Sequence, residues 1–503
     1  MAPHSTYLFK HALVQDAAYG TLLREPRRAL HARIAETLES QFAEIAERQP
    51  ELLARHCTEA GLIEKAIGLW GRAGQRSLER SALVEAVAQL AGALDQIATM
   101  PSTPALRREQ IRLQVALIPP LMHVKGYAAP ETKAAAERAR VLIEQAEAFG
   151  EPPEDPLLLF TVLYGLWVAN YVGFNGDALR DLAAQFSALA EKQEAKVPIM
   201  IGHRLMASSL TGTGDIVEGR KHYDRAMALY DPAENRSLAT RFGQDVGVSI
   251  LSFRSYALWM LGYPEAALAD AREALKDARE IGHVGTLMYA LNQTAFTHIF
   301  CGNYAIANVQ LDEVVALADE KGALYWKALG IALQGWLLAL SGKASDAVHV
   351  IASGITALRS TGATIFVPLH LSHLTRAYAE LGQFDDAWRC ISEAMTAVET
   401  TDERWWEAEV HRVAGQMALK LPKPDAAKAE KHFERALTVA RQQQAKSWEL
   451  RASMSLARLW RDQGKVRQAR ELLAPVYGWF TEGFDTRDLK EAKVLLEELA
   501  GPP

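Results

Sequence analysis

A glycine recurs at an even spacing through the middle of this 503-residue chain, and an alanine-spaced helical segment follows each copy. The clearest copies are Gly262, Gly302, Gly342 and Gly382, with weaker ones at Gly61, Gly214 and Gly464. A glycine between two helical segments suits the end of the first helix, where the backbone must adopt a left-handed conformation. The spacing therefore predicts a repeated pair of helices joined by a glycine turn.

Small residues stand at fixed distances on both sides of these seven glycines. Seven residues before the glycine come Ser255, Ala295, Gly335, Thr375, Ala54, Ala207 and Ala457. Five residues after it come Ala267, Ala307, Ala347, Ala387, Ala66, Gly219 and Ala469. Small side chains on both helices let the two backbones approach closely, and larger apolar residues at helical spacing fill the flanks. Each unit is thus predicted to be an antiparallel helix pair that buries its apolar face against its neighbours.

The pattern resembles the tetratricopeptide repeat (TPR), in which a small residue, an aromatic or leucine, a glycine and two alanines recur. The segment that fits best contains Tyr378, Gly382, Phe384, Ala387, Ile391 and Ala394. The resemblance implies an all-α, TPR-like α-solenoid, a right-handed superhelix of antiparallel helix pairs. The period departs from the family, since about 40 residues separate the copies where the family has about 34.

Residues 1–40 differ from the repeats and resemble another bacterial family, the signal-transduction ATPases with numerous domains (STAND). They match the junction where a winged-helix module meets helical repeats, at Phe9, His11, Tyr19, Arg27, Arg28 and His31. Segments such as "KGYAAPE" and "DERWWEAE" extend the resemblance over nearly the whole chain. In that family an AAA-like ATPase module, often with a class III adenylate or guanylate cyclase domain, precedes the repeats. The resemblance implies that this chain is the C-terminal repeat region of such a protein.

Three regions are expected along the chain. Residues 1–40 would be a remnant of the winged-helix/ATPase junction with a linking helix, and residues 41–150 would form N-terminal repeats with an irregular loop. Residues 151–503 would form the TPR-like superhelical array.

Composition excludes several classes of function. The net charge of −6 gives no concentrated basic surface for nucleic acid. Three distant cysteines, Cys57, Cys301 and Cys390, encode neither a disulfide framework nor a cysteine zinc site. The N-terminal residues do not have the pattern of a signal peptide, and no stretch approaches the length of a membrane helix. A cytoplasmic protein is expected.

No motif predicts catalysis. "GKAS" at Gly342 is the nearest text to a phosphate loop, but Leu337 stands where the first glycine belongs. "TGTGDIVEG" lacks the third glycine of a dinucleotide fingerprint. His370 and His373 share a helical face without an evident third metal ligand, and are expected to be solvated or to face the groove. The chain is therefore predicted to be no enzyme, with no cofactor and no metal.

One set of residues is predicted to contact a partner. The first helix of each TPR lines the concave face, and six residues before the strong glycines stand large side chains. The predicted contacts are Tyr256, Phe296, Trp336 and Arg376, with Trp259 and Asn292 projecting the same way. Aromatic rings with an arginine and an amide favour a groove for an extended or helical peptide. The alternative is that they fill a tightly wound superhelix.

The leading functional prediction is a non-catalytic scaffold or sensor that binds a protein or peptide and regulates an associated signalling ATPase or nucleotide cyclase. The alternative is a C-terminal fragment of a cyclase or ATPase enzyme whose catalytic domains lie upstream. A third possibility is a stand-alone adaptor, which would need the apolar stretch Tyr7–Leu23 to be covered.

Overall fold

The computed structural model describes residues 19, 21, 23–151 and 155–501, and within these ranges the regular structure is entirely helical. Phe9 and His11 of the predicted junction lie outside the described residues. No helix in the described ranges is long and apolar enough to span a membrane. Contacts divide the chain into two compact units, Met1–Leu117 and Ile118–Pro503. The predicted region boundaries at residues 40 and 150 stay predictions.

The first unit consists of short helices around a small core. Its helices are α1 (Arg24–Gln41), α2 (Ala43–Arg48), α3 (Pro50–Ala60), α4 (Ile63–Glu79) and α5 (Leu83–Ile97), and α6 (Pro104–Val124) begins in it. The core between α1, α3 and α4 contains Ala35, Leu53, Ala54, Cys57, Ala66 and Leu69. Two of the predicted small positions, Ala54 and Ala66, thus lie where these helices pack.

The second unit is a series of helix pairs that follow α7 (Pro130–Ala148). The pairs are α8 (Leu157–Val172) with α9 (Gly176–Lys192), α10 (Lys196–Gly212) with α11 (Ile216–Leu229), α14 (Val246–Met260) with α15 (Pro264–Ile281), α16 (Val284–Phe300) with α17 (Tyr304–Glu320), α18 (Leu324–Leu340) with α19 (Ala344–Ser360), α20 (Val367–Glu380) with α21 (Phe384–Thr401), α22 (Glu407–Lys420) with α23 (Ala426–Gln442), and α24 (Lys446–Asp462) with α25 (Val466–Tyr477). The short α12 (Pro232–Asn235) and α13 (Ala239–Phe242) interrupt the series, and α26 (Arg487–Leu499) ends it. We call the helix named first in each pair the first helix.

The repeat prediction is confirmed position by position. All seven glycines that the repeat places between paired helices have φ between 73° and 98°, the left-handed region that glycine enters without a steric penalty. All fourteen small residues that flank them are buried. The chain is an all-α, TPR-like solenoid of antiparallel helix pairs.

Backbone hydrogen bonds join helix pairs that lie five pairs apart in the second unit. The carbonyl oxygens that end α8 and α10 each accept two amide hydrogens from the loops in front of α20 and α22. The bonds run from Thr364 and Ile365 to Val172, at 2.9 Å each, and from Arg404 and Trp405 to Gly212, at 2.9 and 3.2 Å. The last carbonyls of a helix have no partner within that helix, so these amides satisfy groups that would otherwise need water. The solenoid therefore closes each turn onto the next.

Side chains extend the contacts between successive turns toward the C-terminus. The Ser447 hydroxyl donates to the carbonyl oxygen of Trp259 in α14. The Arg451 guanidinium donates to the carbonyl oxygen of Phe300, the last residue of α16, at 3.3 Å. The Arg487 guanidinium donates to the Tyr304 hydroxyl at 2.7 Å. Contacts between successive turns thus extend from α8 to α26.

Aromatic rings fill the space inside these turns. We call this set the interior aromatic cluster, and it consists of Tyr256, Trp259, Phe296, Phe300, Trp336, Phe366, Trp405, Trp406 and Trp448. The closest ring pair is Trp259 and Phe300, which stack with centroids 4.5 Å apart, and Trp406 meets Trp448 edge-on at 4.8 Å. Such contacts stabilise beyond the area that they bury. Trp259 and Trp448 come from pairs one turn apart and their ring centroids are 4.7 Å apart, so the cluster also joins successive turns.

Glu403 is a buried carboxyl group beside this cluster, with an exposed fraction of 1%. One of its oxygens accepts hydrogen bonds from the Phe366 amide at 3.0 Å and the Trp405 indole at 2.9 Å. Its other oxygen has no partner among the described residues. Burial raises the pKa of Glu403 from its ordinary value of 4.5 to about 7, because the charged form loses water without gaining a cation.

Replacement of Gly335 by alanine should lower stability. A Cβ on Gly335 in α18 would lie 2.6 Å from Ile351 Cγ1 and 2.8 Å from the Ile351 amide nitrogen in α19. The backbone cannot retreat as a flexible side chain can, so we expect a loss of about 1–2 kcal/mol despite the higher helix propensity of alanine. Gly68→Ala in α4 is the control, since no atom of the described residues lies within 4 Å of its Cβ position. Urea unfolding followed by circular dichroism measures both, and equal stability changes would contradict the close packing.

Replacement of Glu403 by glutamine should remove one component of the pH dependence of stability. The folded protein keeps the Glu403 proton up to about pH 7, whereas the unfolded chain loses it near pH 4.5. The stabilisation from the protonated group is complete below pH 4.5 and is lost as pH rises through 7. Glu403→Gln is neutral throughout, so its stability relative to the wild type should rise by about 2 kcal/mol from pH 5 to pH 8. Buried histidines titrate alike in both proteins and cancel, and a pH-independent difference in unfolding midpoint would contradict the raised pKa.

Candidate ligand-binding cavity

A cavity of about 510 Å³ lies on the interior side of the second unit. Its walls come from the first helices α16, α18, α20, α22 and α24, from Tyr304 at the start of α17, and from α26. Phe300 and Trp336 of the interior aromatic cluster are among its lining residues. A volume of this size suits a small molecule or a few side chains of a peptide.

Glu409 in α22 is the most enclosed charge in the cavity wall, with an exposed fraction of 1%. Arg412 forms a two-pronged pair with its carboxylate, with one Nε to Oε2 bond at 2.6 Å and a second bond from Nη2 to Oε1. Arg376 in α20 donates to the same Oε1 at 3.1 Å. Burial by itself would raise the pKa of Glu409, but the guanidinium groups of Arg412 and Arg376 outweigh burial and hold it at about 2.

The Arg376 guanidinium has no carboxylate of its own. It shares a carboxylate that Arg412 already holds with two bonds, and its only other acceptor among the described residues is Gln416 Oε1 at 3.3 Å. Burial and the nearby Arg412 lower the pKa of Arg376 to about 10, against the attraction of Glu409. A guanidinium in this position would gain stability from a further anion.

A second shared carboxylate lies across the cavity on α26. Glu491 accepts from Arg487 at 2.7 Å and from Arg458 at 3.1 Å. Between the two shared sites, Arg451 pairs with Asp488 at 2.7 Å. The described charged side chains that line the cavity are Arg376, Arg412, Lys420, Arg451, Arg458, Arg487, Glu380, Glu409, Asp488 and Glu491, which leaves six cations against four carboxylates. The wall carries an excess of two positive charges.

Three side chains of the wall carry buried polar atoms that no group in the described residues satisfies. These atoms are Trp336 Nε1, Arg376 Nε and both ring nitrogens of His373. The His373 ring stacks on the Trp336 ring with centroids 4.3 Å apart and an interplanar angle of 25°. Burial, with the nearby Arg376, keeps the pKa of His373 well below its ordinary value, so the ring is neutral at pH 7. An unsatisfied buried donor costs about 1–3 kcal/mol, and these atoms cluster on one wall.

The structure divides the six residues predicted to contact a partner. Trp336 and Arg376 line the cavity. Tyr256, Trp259 and Phe296 are buried in the interior aromatic cluster. Asn292 is also buried, and its amide donates to the carbonyl oxygen of Trp326 at 3.5 Å. Partner contact stays a prediction for all six, and the two on the cavity wall are the ones that a ligand can reach without opening the cluster.

Several cavity residues escaped the sequence analysis. The rule of six residues before a glycine also selects Arg458, which precedes Gly464 and lines the cavity. It does not find Glu409 or Arg412, because the α22–α23 pair turns at "LPKPD" instead of at a glycine. If the repeat spacing is continued from Gly382, it places the next turn between α22 and α23, and this would have identified α22 as the first helix of a pair.

Other candidate sites fall into structural roles. His370 and His373 are both buried rather than solvated, and only His373 lines the cavity. In the part of the chain that the structure describes, no group of three or more histidine, cysteine, aspartate or glutamate side chains is placed to hold a metal ion. Gly214 of "TGTGDIVEG" forms the turn between α10 and α11, with φ of 98°. The three cysteines are free and buried.

No protein-family model matches this chain. An uncharacterized protein of Rhizobium meliloti is 26% identical over 417 residues, which cover 81% of this chain and 39% of that relative. The chain thus spans about two fifths of the length of this relative.

Helical proteins with solved structures resemble the chain at lower identity. A Rap protein complexed with competence and sporulation factor is 12% identical, with 86% of this chain and 99% of that chain covered and a TM-score of 0.41. The Rap conjugation gene regulator of plasmid pLS20, in complex with the Phr* peptide, is 9% identical, with 80% and 97% covered and a TM-score of 0.44. At TM-scores below 0.5, neither structure tells what this chain binds.

Removal of the Glu409 charge should destabilise the second unit strongly. Glu409→Gln leaves Arg412 and Arg376 enclosed without their shared carboxylate, and breaking a buried ion pair in this way costs about 3 kcal/mol or more. The control is Glu393→Gln, whose carboxylate pairs with Arg359 at the surface with both side chains nearly half exposed. We expect the control to cost less than about 0.5 kcal/mol. Equal unfolding midpoints in urea for the two variants would show that Glu409 does not hold this cluster.

Proposed function

We propose that this chain is the ligand-sensing repeat module of a signalling protein, and that occupancy of the cavity regulates an associated ATPase or nucleotide cyclase. A TPR-like helical-repeat scaffold is an architecture suited to protein–protein interaction. The observation that carries the proposal is the cavity itself, in which buried polar atoms of Trp336, His373 and Arg376 find no acceptor or donor among the described residues. Buried polar groups in proteins are nearly always hydrogen-bonded to protein, to ordered water or to a ligand.

The position of the cavity supports a sensing role. Its wall includes Phe300 and Tyr304 from one turn of the solenoid and Arg451 and Arg487 from the next. These residues also form hydrogen bonds between the turns. A ligand that binds one spacing of the turns better than another shifts the solenoid toward that spacing. Binding energy is thereby converted into a change in pitch, which an attached domain can detect.

The regulatory half of the proposal rests on the sequence. The resemblance to the STAND proteins extends over nearly the whole chain, and in that family the repeats follow an ATPase module, often with a cyclase domain. The R. meliloti relative is longer than this chain, which spans 39% of it. In the competing interpretation, this chain is a fragment of a cyclase or ATPase enzyme. The two interpretations differ only in whether the chain is described as a regulatory module or as part of that enzyme. In both, the chemistry belongs to other domains and this chain supplies control.

Two assays test the proposal. The purified chain, incubated with labelled ATP or GTP and magnesium, should release neither phosphate nor cyclic nucleotide. The full-length R. meliloti relative should turn over nucleotide, and removal of the region that aligns with this chain should change that rate several-fold, because the control would be lost.

Two results would contradict the proposal. Turnover by the isolated chain would place a catalytic site within it. A rate in the relative that is unaffected by removal of the aligned region, or no turnover in the full-length relative, would contradict the regulatory role. A matched internal deletion of one helix pair outside the cavity and outside these contacts between turns, α4 with α5 in the first unit, controls for general loss of folding.

A further inference from the structure

We infer that the cavity recognises an anionic ligand, and that one acidic group of this ligand accepts hydrogen bonds from Trp336 Nε1 and Arg376 Nε. The inference rests on the proposed function, since it names the chemistry of the ligand that the module would sense. It concerns carboxylate or phosphate groups on a small acid or on a short acidic peptide.

The charge of the wall is the first argument. Two carboxylates, Glu409 and Glu491, are each shared by two guanidinium groups, so two cations lack a carboxylate of their own. Enclosed guanidinium groups are stabilised by charge-assisted hydrogen bonds to an anion. The side chains of Arg458 and Arg487 are 39% and 51% exposed to water, so the enclosed part of the excess lies at Arg376, whose side chain is 25% exposed.

The free hydrogen-bonding capacity of the wall is the second argument. An indole nitrogen and a guanidinium nitrogen can only donate, so the unsatisfied atoms of Trp336 and Arg376 both require an acceptor. Neutral His373, stacked on Trp336, adds one further donor and one acceptor. Among the described wall residues, both oxygens of Glu409 and of Glu491 are occupied by arginines. The wall thus offers donors in excess of acceptors.

This excess of donors argues against a neutral polyol or sugar. A hydroxyl group donates as well as accepts, and its hydrogen needs an acceptor in the wall. Apart from one ring nitrogen of His373, the acceptors that could provide one are carboxylates already paired with a cation, Glu380 with Lys420 and Glu409, Asp488 and Glu491 with guanidinium groups. An acidic oxygen accepts several hydrogen bonds and needs no acceptor in return, so it matches what the wall has free.

The indole signal of Trp336 gives a direct test. The protein is labelled with ¹⁵N-tryptophan, and Trp336→Phe identifies the signal by its loss. The probes are glutarate, inorganic phosphate and an acidic peptide of five glutamates, with glutaramide and a peptide of five glutamines as neutral counterparts. We expect the acidic probes to shift the Trp336 indole proton saturably, and the neutral counterparts to leave it unmoved. The affinity should fall as sodium chloride is raised, because the charges are screened.

Variants at Arg376 separate recognition from folding. Arg376→Gln should weaken the acidic probes at least tenfold, while Arg376→Lys keeps the charge and should restore part of the affinity. The matched control is Arg389→Gln, whose side chain is largely exposed on α21 and pairs with Asp386. The control should bind as the wild type does. Thermal unfolding shows which variants are folded, and the contrast between acidic and neutral probes needs only the wild type.

The outcomes decide between the alternatives. A response to glutarate or phosphate at lower concentrations than to the peptide identifies a small acid as the ligand, and the reverse order identifies an acidic peptide. Neutral probes that shift Trp336 as strongly as acidic ones would overturn the anion inference and leave the cavity as a ligand site. No shift with any probe at millimolar concentrations, or equal affinity in Arg376→Gln, would also overturn it. Failure of the proposed function would be seen in a different assay, as a rate of nucleotide turnover in the relative that does not change when the repeat region is removed.

Discussion

The structure of the second unit depends on the hydrogen bonds between helix pairs that lie five pairs apart. Without them, the carbonyls of Val172 and Gly212 at the ends of first helices would need water, as in an open solenoid. With them, successive turns touch, and the interior face cannot remain a wide groove. Large aromatic side chains on that face then pack against each other, which explains why Trp406 and Trp448 are fully enclosed. The cavity is the part of the interior that the rings do not fill.

Closure of the turns also sets the electrostatics of that cavity. Arginines that would be solvated on an open concave face lose much of their water, since the side chain of Arg412 is only 9% exposed and that of Arg376 25%, and each then needs a carboxylate or a carbonyl. Arg451 shows how a single side chain meets this need, since it pairs with Asp488, donates to Phe300 and lies over the rings of Trp259 and Trp448 at 4.9 and 5.3 Å. Such contacts stabilise an enclosed cation. Arg376 lacks an equivalent set, and for this reason we propose it as the position that a ligand occupies.

Much of the fold could be predicted from the sequence because its determinants are local and periodic. Gly262 and Ala267 indicate a turn and a close helix contact within one pair, and the same spacing recurs in each copy. The candidate site was predicted only in part, since Trp336 and Arg376 follow the period while Glu409 belongs to a pair without a glycine turn. Glu403 and its raised pKa had no sequence signal at all. Its environment arises from residues one superhelical turn away, and an even spacing of glycines carries no information about the number of pairs in a turn.

The same closure explains how the cavity can act as more than a passive pocket. Its wall is built by residues that also bridge the turns, so a ligand there competes with or reinforces bonds that fix the pitch. Arg451 and Arg487 each hold a group from the preceding turn, and each is also paired with a carboxylate on α26, Asp488 or Glu491. An anion beside them redistributes these partners, because a guanidinium group that gains a new acceptor holds its old ones less firmly. In the proposed function, the change would reach the turn contacts directly, through Arg451 and Arg487, and would need no longer pathway through the solenoid.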